Sequence, residues 1–293
     1  MTAAKKVLML HGFVQSDKIF RQKTGGLRKN LQKMGYELYY PCGPEVVDKS
    51  TLSHGNVDKE EDKRDIQKQF NTTLDDDSSD LFGWWVRTGS GEKGILEYTI
   101  PQKTLDYLHE YVVENGPFEG IIGFSQGAGL GGYLTRDFNK ILNLTPAQQP
   151  PLKFFVSFSG FRLEPPQYQS VYDIDNDKTP KSLHIQGELD AVVSETRVMK
   201  LYESWPESKR TLLKHPGSHF VPNSKPFVSQ VCNWLQHVEQ SANGTVEIKE
   251  EKVEGSKKDT KTGEDNLDDD LLAMMDSIGT VSYTHLRAHE TLA

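Results

Sequence analysis

Short apolar runs alternate with amphipathic stretches from Lys5 to about Gln240. Val7-Leu8-Met9-Leu10 is a continuous apolar run ending at Gly12, the pattern of a strand covered on both faces. From Arg21 to Met34, Leu27, Leu31 and Met34 recur at helical spacing, and Gly35 closes the segment. Tyr36 to Tyr40 predicts a second strand, stopped by Pro41, Gly43 and Pro44. A β-α-β start of this kind predicts a parallel sheet with helices on its faces. Leu105, Leu108 and Val112 share one face of a further helix that ends near Asn115-Gly116-Pro117. A buried strand then leads to Phe124, followed by a helix through about Phe138. Phe154 to Ser159, Ser182 to Gln186 and Arg210 to Lys214 predict three more strands. A closing amphipathic helix over about Lys225 to His237 buries Val228, Val231, Cys232 and Leu235.

Two regions break the alternation. His54 to Asp80 is strongly charged and carries Asp75-Asp76-Asp77, which reads as a solvated insertion. Clustered aspartates do not by themselves specify a metal's coordination geometry. Phe82-Gly83-Trp84-Trp85 follows directly. Its paired tryptophans either pack the insertion onto the domain or wall an apolar pocket. Asp173-x-Asp175-x-Asp177 opens like a calcium loop, but Lys178 and His184 stand where the loop needs Gly and Glu. The second break is the tail. Ser241 to Asn266 has the composition of a linker. Leu267, Leu271, Met274, Met275 and Ile278 then repeat at helical spacing among aspartates, either as a transient helix or as a short helix that docks on a protein partner. Ser282 to Ala293 resembles translated adapter sequence. The expected organisation is one domain over 1–240, a charged tail over 241–281 and an appended 282–293.

Composition narrows the class. The 293 residues carry a net charge of −8, which argues against nucleic acid as the main partner. Cys42 and Cys232 make no disulfide framework. The N-terminus carries no apolar signal region, and no apolar run is long enough to span a bilayer, so a cytoplasmic location is expected, with the nucleus open. No cofactor and no metal are expected.

The chemistry centres on Gly123-Phe124-Ser125-Gln126-Gly127, the one Gly-x-Ser-x-Gly in the chain. After a strand and before a helix, this pattern places a serine on a sharp turn above the sheet. A serine needs a base, and the base an orienting carboxylate. In an α/β-hydrolase these follow in the order Ser, acid, His, each after its own strand. Asp190 lies after the Ser182–Gln186 strand and His219 after the Arg210–Lys214 strand, before the last helix. Glu188 and His215 are the rival acid and base, and His184 falls inside a strand. The oxyanion needs two donors, expected from the backbone N–H groups of Phe13 and Gln126, with His11 as support for the first turn. Phe82, Trp84, Trp85, Val192 and Phe220, with Phe13, flank these loops as candidate acyl-pocket residues.

These segments resemble a known family. His11-Gly12-Phe13, Pro117-Phe118-Glu119-Gly120, Gly123 to Ala128, Ser157-Phe158-Ser159-Gly160-Phe161, Gly187 to Val193 and His215 to His219 are similar, in order, to the motifs of the fungal family of serine hydrolases. The resemblance covers about Lys5 to Gln240. It implies an α/β-hydrolase fold, a cytosolic carboxylesterase or thioesterase activity on a small-molecule substrate, and Ser125, Asp190 and His219 as the triad. Two other readings compete with it. Gly127-x-Gly129-x-x-Gly132 matches a dinucleotide fingerprint, but the next strand ends Ser157-Phe158-Ser159-Gly160, without the acid that would bind ribose. A catalytically silent domain acting through its tail has no need of three matched residues.

Overall fold

The first apolar run forms the strand next to one edge of a six-stranded sheet in the computed structural model, which describes residues 4–48, 60–70, 72, 80–86, 89–90, 96–173 and 179–242. Along the chain, β1 (Lys5–Leu10), α1 (Asp17–Lys23), α2 (Gly25–Lys33) and β2 (Tyr36–Tyr39) come first. Next are β3 (Glu45–Val47), α3 (Glu60–Phe70), β4 (Leu81–Gly83), β5 (Gly89–Ser90) and β6 (Leu96–Glu97). Then follow α4 (Gln102–Asn115), β7 (Gly120–Phe124), α5 (Gln126–Leu134), α6 (Phe138–Ile141) and β8 (Phe154–Phe158). The chain continues through α7 (Gln169–Tyr172), β9 (Lys181–Gly187), α8 (Glu195–Tyr202), β10 (Arg210–His215) and α9 (Lys225–Ala242).

The main sheet has the order β10-β9-β8-β7-β1-β2, and every neighbouring pair is parallel. This is an α/β-hydrolase fold: a parallel sheet with helices on both faces. Strand periodicity sorts the core. Val7 and Met9 of β1 face one cluster with Phe20, Leu27, Leu31, Val228 and Val231 from α1, α2 and α9. Leu8 and Leu10 face the other, with Leu108, Leu130, Val198 and Leu201 from α4, α5 and α8. Burial on both sides explains why these strands read as unbroken apolar runs. From β1 the chain first moves outward to β2, then returns to β7 on the other side of β1. The crevice between the carboxyl ends of β1 and β7 is therefore the switch point at which ligands bind in such sheets.

Three local readings change. The single helix expected over Arg21 to Met34 is two, α1 and α2. Thr24 breaks it, because its hydroxyl bonds back to the Phe20 carbonyl at 2.8 Å and meets the Tyr40 hydroxyl at 2.9 Å. The helix after Ser125 ends at Leu134 and restarts as α6. The charged insertion contains α3, whose Ile66 is buried with Val14, Val47 and Leu81 in a satellite core that Phe13 and Phe70 pack against. The Asp75 cluster, the calcium-like loop between Asp173 and Lys178, and the tail elements after Ala242 fall wholly or largely outside the described residues. Among the described residues, no helix is long and apolar enough to cross a membrane, and no cluster of ligating side chains fits a metal ion. Both cysteines are free.

Candidate active site

Ser125 joins β7 to α5 at φ 51°, ψ −116°, in the left-handed region that a side chain resists. Two glycines make the turn possible. A Cβ on Gly123 would collide with the backbone of Gly127 and Ala128, and one on Gly127 with the carbonyl oxygens of Leu10 and His11. The Ser125 N–H donates to the Phe158 carbonyl at 2.8 Å, anchoring the turn to the next strand. Ser125 also sits at the N-terminus of a nine-residue helix, whose dipole favours negative charge there. Gly129 and Gly132, which mimic a dinucleotide fingerprint, serve packing: a Cβ at either would press on Phe161 or Leu201.

Asp190 and His219 lie on loops laced together at the ends of β9 and β10. Glu188 N–H donates to the His215 carbonyl at 2.9 Å, and Leu189 N–H to the Gly217 carbonyl at 3.0 Å. Asp190 Oδ1 accepts from the N–H groups of Val192 and Val193, each at 2.9 Å. Its Oδ2 faces His219 Nδ1 at 2.8 Å, with both side chains almost wholly buried. A carboxylate accepts, so Nδ1 carries the proton and Nε2 is the free base. Burial alone would push the Asp190 carboxyl up, but the bond to His219, its charge and the Val193 N–H together hold it below the usual carboxylate range. Among the described residues, His219 Nε2 is buried without a hydrogen-bond partner, and the ring lies 4.7 Å from that of Phe124, the residue before Ser125.

The turn after β1 is braced by His11. Its Nε2 accepts the Gly43 N–H at 2.8 Å, which leaves the proton on Nδ1, 2.7 Å from the Gly12 carbonyl. Desolvation lowers the His11 pKa to about 4, so the ring is neutral above that pH. The Gly12 carbonyl and the Phe13 N–H share one trans peptide plane. Holding the carbonyl toward His11 therefore aims the Phe13 N–H the opposite way. The neighbouring donors are taken: Gly12 N–H by Gln15 Oε1 at 3.0 Å and Val14 N–H by the Phe82 carbonyl at 2.9 Å. Neither Phe13 N–H nor Gln126 N–H has an acceptor among the described residues. A strained serine, a histidine held by a carboxylate, and two unspent donors at the switch point are parts that serine hydrolysis uses.

A family model described as "Serine hydrolase (FSH1)" matches residues 1–231. The chain belongs to this serine hydrolase family. It is 56% identical to Family of serine hydrolases 3 of Saccharomyces cerevisiae, over 95% of this chain and 99% of that protein. It is 30% identical to Esterase OVCA2 of Mus musculus, over 81% of this chain and 96% of that one. Among solved structures, the Zea mays acyl-protein thioesterase 2 superposes with a TM-score of 0.51 at 15% identity, covering 81% of this chain and 95% of that one, a likeness of fold.

Within this family member the rival residues stand apart from the triad geometry. Glu188 is exposed. His215 accepts the Gly217 N–H at 3.2 Å and packs edge-on against Phe220 and Phe227, bracing the loop that carries His219. His184 is a core residue, bonded to the Ser182 hydroxyl at 3.0 Å, and desolvation lowers its pKa to about 3. The candidate pocket residues divide. Phe13, Phe82 and Val192 are half-buried and Phe220 is 36% exposed, all at the loops around the site. Trp84 has no exposed surface and Trp85 is 3% exposed, so both belong to the core beneath rather than to an open pocket wall. Sequence reasoning passed over two residues. Leu189, 70% exposed beside Asp190, was signalled by an apolar residue inside a polar turn. The Gln126 side chain is buried and bonded to Trp84 and Trp85, and nothing local in the sequence announces that.

Proposed function

We propose that this hydrolase cleaves carboxylic esters, and thioesters by the same route, of apolar acyl groups through an acyl-enzyme on Ser125. The observation that carries the reading is the Asp190–His219 pair, whose imidazole lies 4.7 Å from the ring of Phe124, the residue before Ser125 on its strained turn. Nε2 takes the Ser125 proton as Oγ attacks the acyl carbon. The oxyanion forms toward the N–H groups of Phe13 and Gln126 at the α5 N-terminus. His219 then gives the proton to the leaving alcohol or thiol, and water repeats the sequence to release the acid. Phe13, Phe82, Leu189, Val192 and Phe220 give the mouth an apolar rim suited to an acyl chain. A protein partner for 267–278 belongs to the same proposal as an unlocated contact of the tail.

Burying an acyl chain on that rim contributes about 0.8 kcal/mol per methylene, roughly fourfold in kcat/KM for each carbon until the surface is filled. A panel of p-nitrophenyl esters and acyl thioesters, from acetyl upward, is expected to rise in this way. Phe220→Ala and Leu189→Ser flatten the rise. A strict preference for acetyl, unchanged in both variants, refutes the apolar-acyl reading while leaving the hydrolase intact.

A further inference from the structure

Residues 82–85 touch both halves of the oxyanion hole. Phe82 pairs with the first half: its carbonyl accepts from Val14 N–H at 2.9 Å, and its N–H donates to the Gln15 carbonyl at 2.9 Å. Val14, the residue after the Phe13 donor, is β-branched and sits at φ 61°, a conformation that such residues hold only when their surroundings impose it. Trp84 reaches the same half by its indole N–H, 2.9 Å from the His11 carbonyl, and its ring lies 4.9 Å from the His11 imidazole. The second half is gripped from the other side. The Gln126 carboxamide accepts the Trp84 N–H at 2.8 Å and donates to the Trp85 carbonyl at 2.9 Å. Thr104 Oγ1 of α4 caps the Trp84 carbonyl at 2.9 Å. The N–H, carbonyl and indole N–H of Trp84 are thus all spent. Trp85 anchors the segment below by stacking on Tyr98 at 5.1 Å and meeting Phe161 edge-on.

We propose that residues 82–85 are a tie between the two oxyanion donors, which makes Trp84 and the Gln126 carboxamide positioning residues for acyl transfer. The two donors come from separate loops, on β1 and β7, and a donor displaced by a fraction of an ångström forfeits much of its effect on the transition state. The tie fixes their spacing by running from one loop to the other. This role rests on the serine-hydrolase reading. It also gives the paired tryptophans a purpose other than lining an acyl pocket.

The test uses the full chain with three variants: Trp84→Phe, which keeps an aromatic ring and loses the indole N–H; Gln126→Glu, which sets a carboxylate oxygen against the Trp85 carbonyl; and Thr104→Val, a milder change should the others fold poorly. Active sites are counted with a fluorophosphonate, kcat and KM are measured for acetyl to octanoyl esters, and inhibition by an alkyl boronic acid reports on the oxyanion hole. The expected result is a kcat per active site about 10- to 100-fold lower for Trp84→Phe and Gln126→Glu and about threefold lower for Thr104→Val. KM stays unchanged, the loss is equal at every chain length, and boronate affinity falls in parallel. A loss that grows with chain length and appears in KM overturns the proposal in favour of a pocket wall. An unchanged kcat with only a lower melting temperature overturns it in favour of plain packing. Absence of labelling in the wild-type chain overturns the hydrolase reading, and the tie's role with it.

Discussion

Ser125→Ala abolishes labelling by a fluorophosphonate and lowers ester turnover on the order of 10⁶-fold, to what the oxyanion hole and binding alone supply. The size follows from the roles at the site. Without Oγ there is no acyl-enzyme, and the His219 base has nothing to activate but water, held at the wrong distance from the acyl carbon. The donors at Phe13 and Gln126 and the apolar rim are untouched, so substrate still binds. The fold is untouched as well, since one side-chain oxygen is removed and the backbone turn is set by Gly123 and Gly127. A melting temperature within about 2 °C of wild type is expected. Normal labelling of the variant would place the nucleophile at another serine.

His219→Ala costs nearly as much as loss of the serine, because the three residues act as a unit. Asp190→Asn costs about 10⁴-fold, for a reason visible in its hydrogen bonds. Oδ1 accepts two N–H groups, from Val192 and Val193, so the amide oxygen of an asparagine must stay on that side. Its NH₂ then faces His219 and compels Nδ1 to accept. The proton moves to Nε2, and the base is lost while the geometry survives. Glu188→Gln and His215→Ala keep activity within about tenfold of wild type, since Glu188 is exposed and His215 braces a loop. Steady-state kinetics on the four variants checks the assignment. A dead His215→Ala beside an active His219→Ala would reverse it.

The interior strands β1, β7 and β8 are legible in the sequence because they are buried on both faces, which leaves a run such as Val7 to Leu10 little room for polar residues. The order of Ser125, Asp190 and His219 is legible because each follows the carboxyl end of its own strand. What was hidden depends on contacts between segments distant in sequence. Thr24 breaks a helix through a bond to its own turn and to Tyr40, and helical spacing of Leu27 and Leu31 passes over that. Ile66 is one buried apolar residue in a stretch dominated by charge, so composition concealed α3. The tryptophans offered two readings of equal weight. Burial favours packing, and the partner that ties them down, Gln126, lies some forty positions away.

The turn at Ser125 has a consequence for protein engineering. A non-glycine residue held at φ 51° costs on the order of 1–3 kcal/mol, which glycine at the same position largely avoids. Thermostability and catalysis therefore pull against each other at this one codon. A library of this hydrolase selected by heat alone enriches Ser125→Gly and discards the nucleophile, so any stabilising campaign must screen for turnover in the same round.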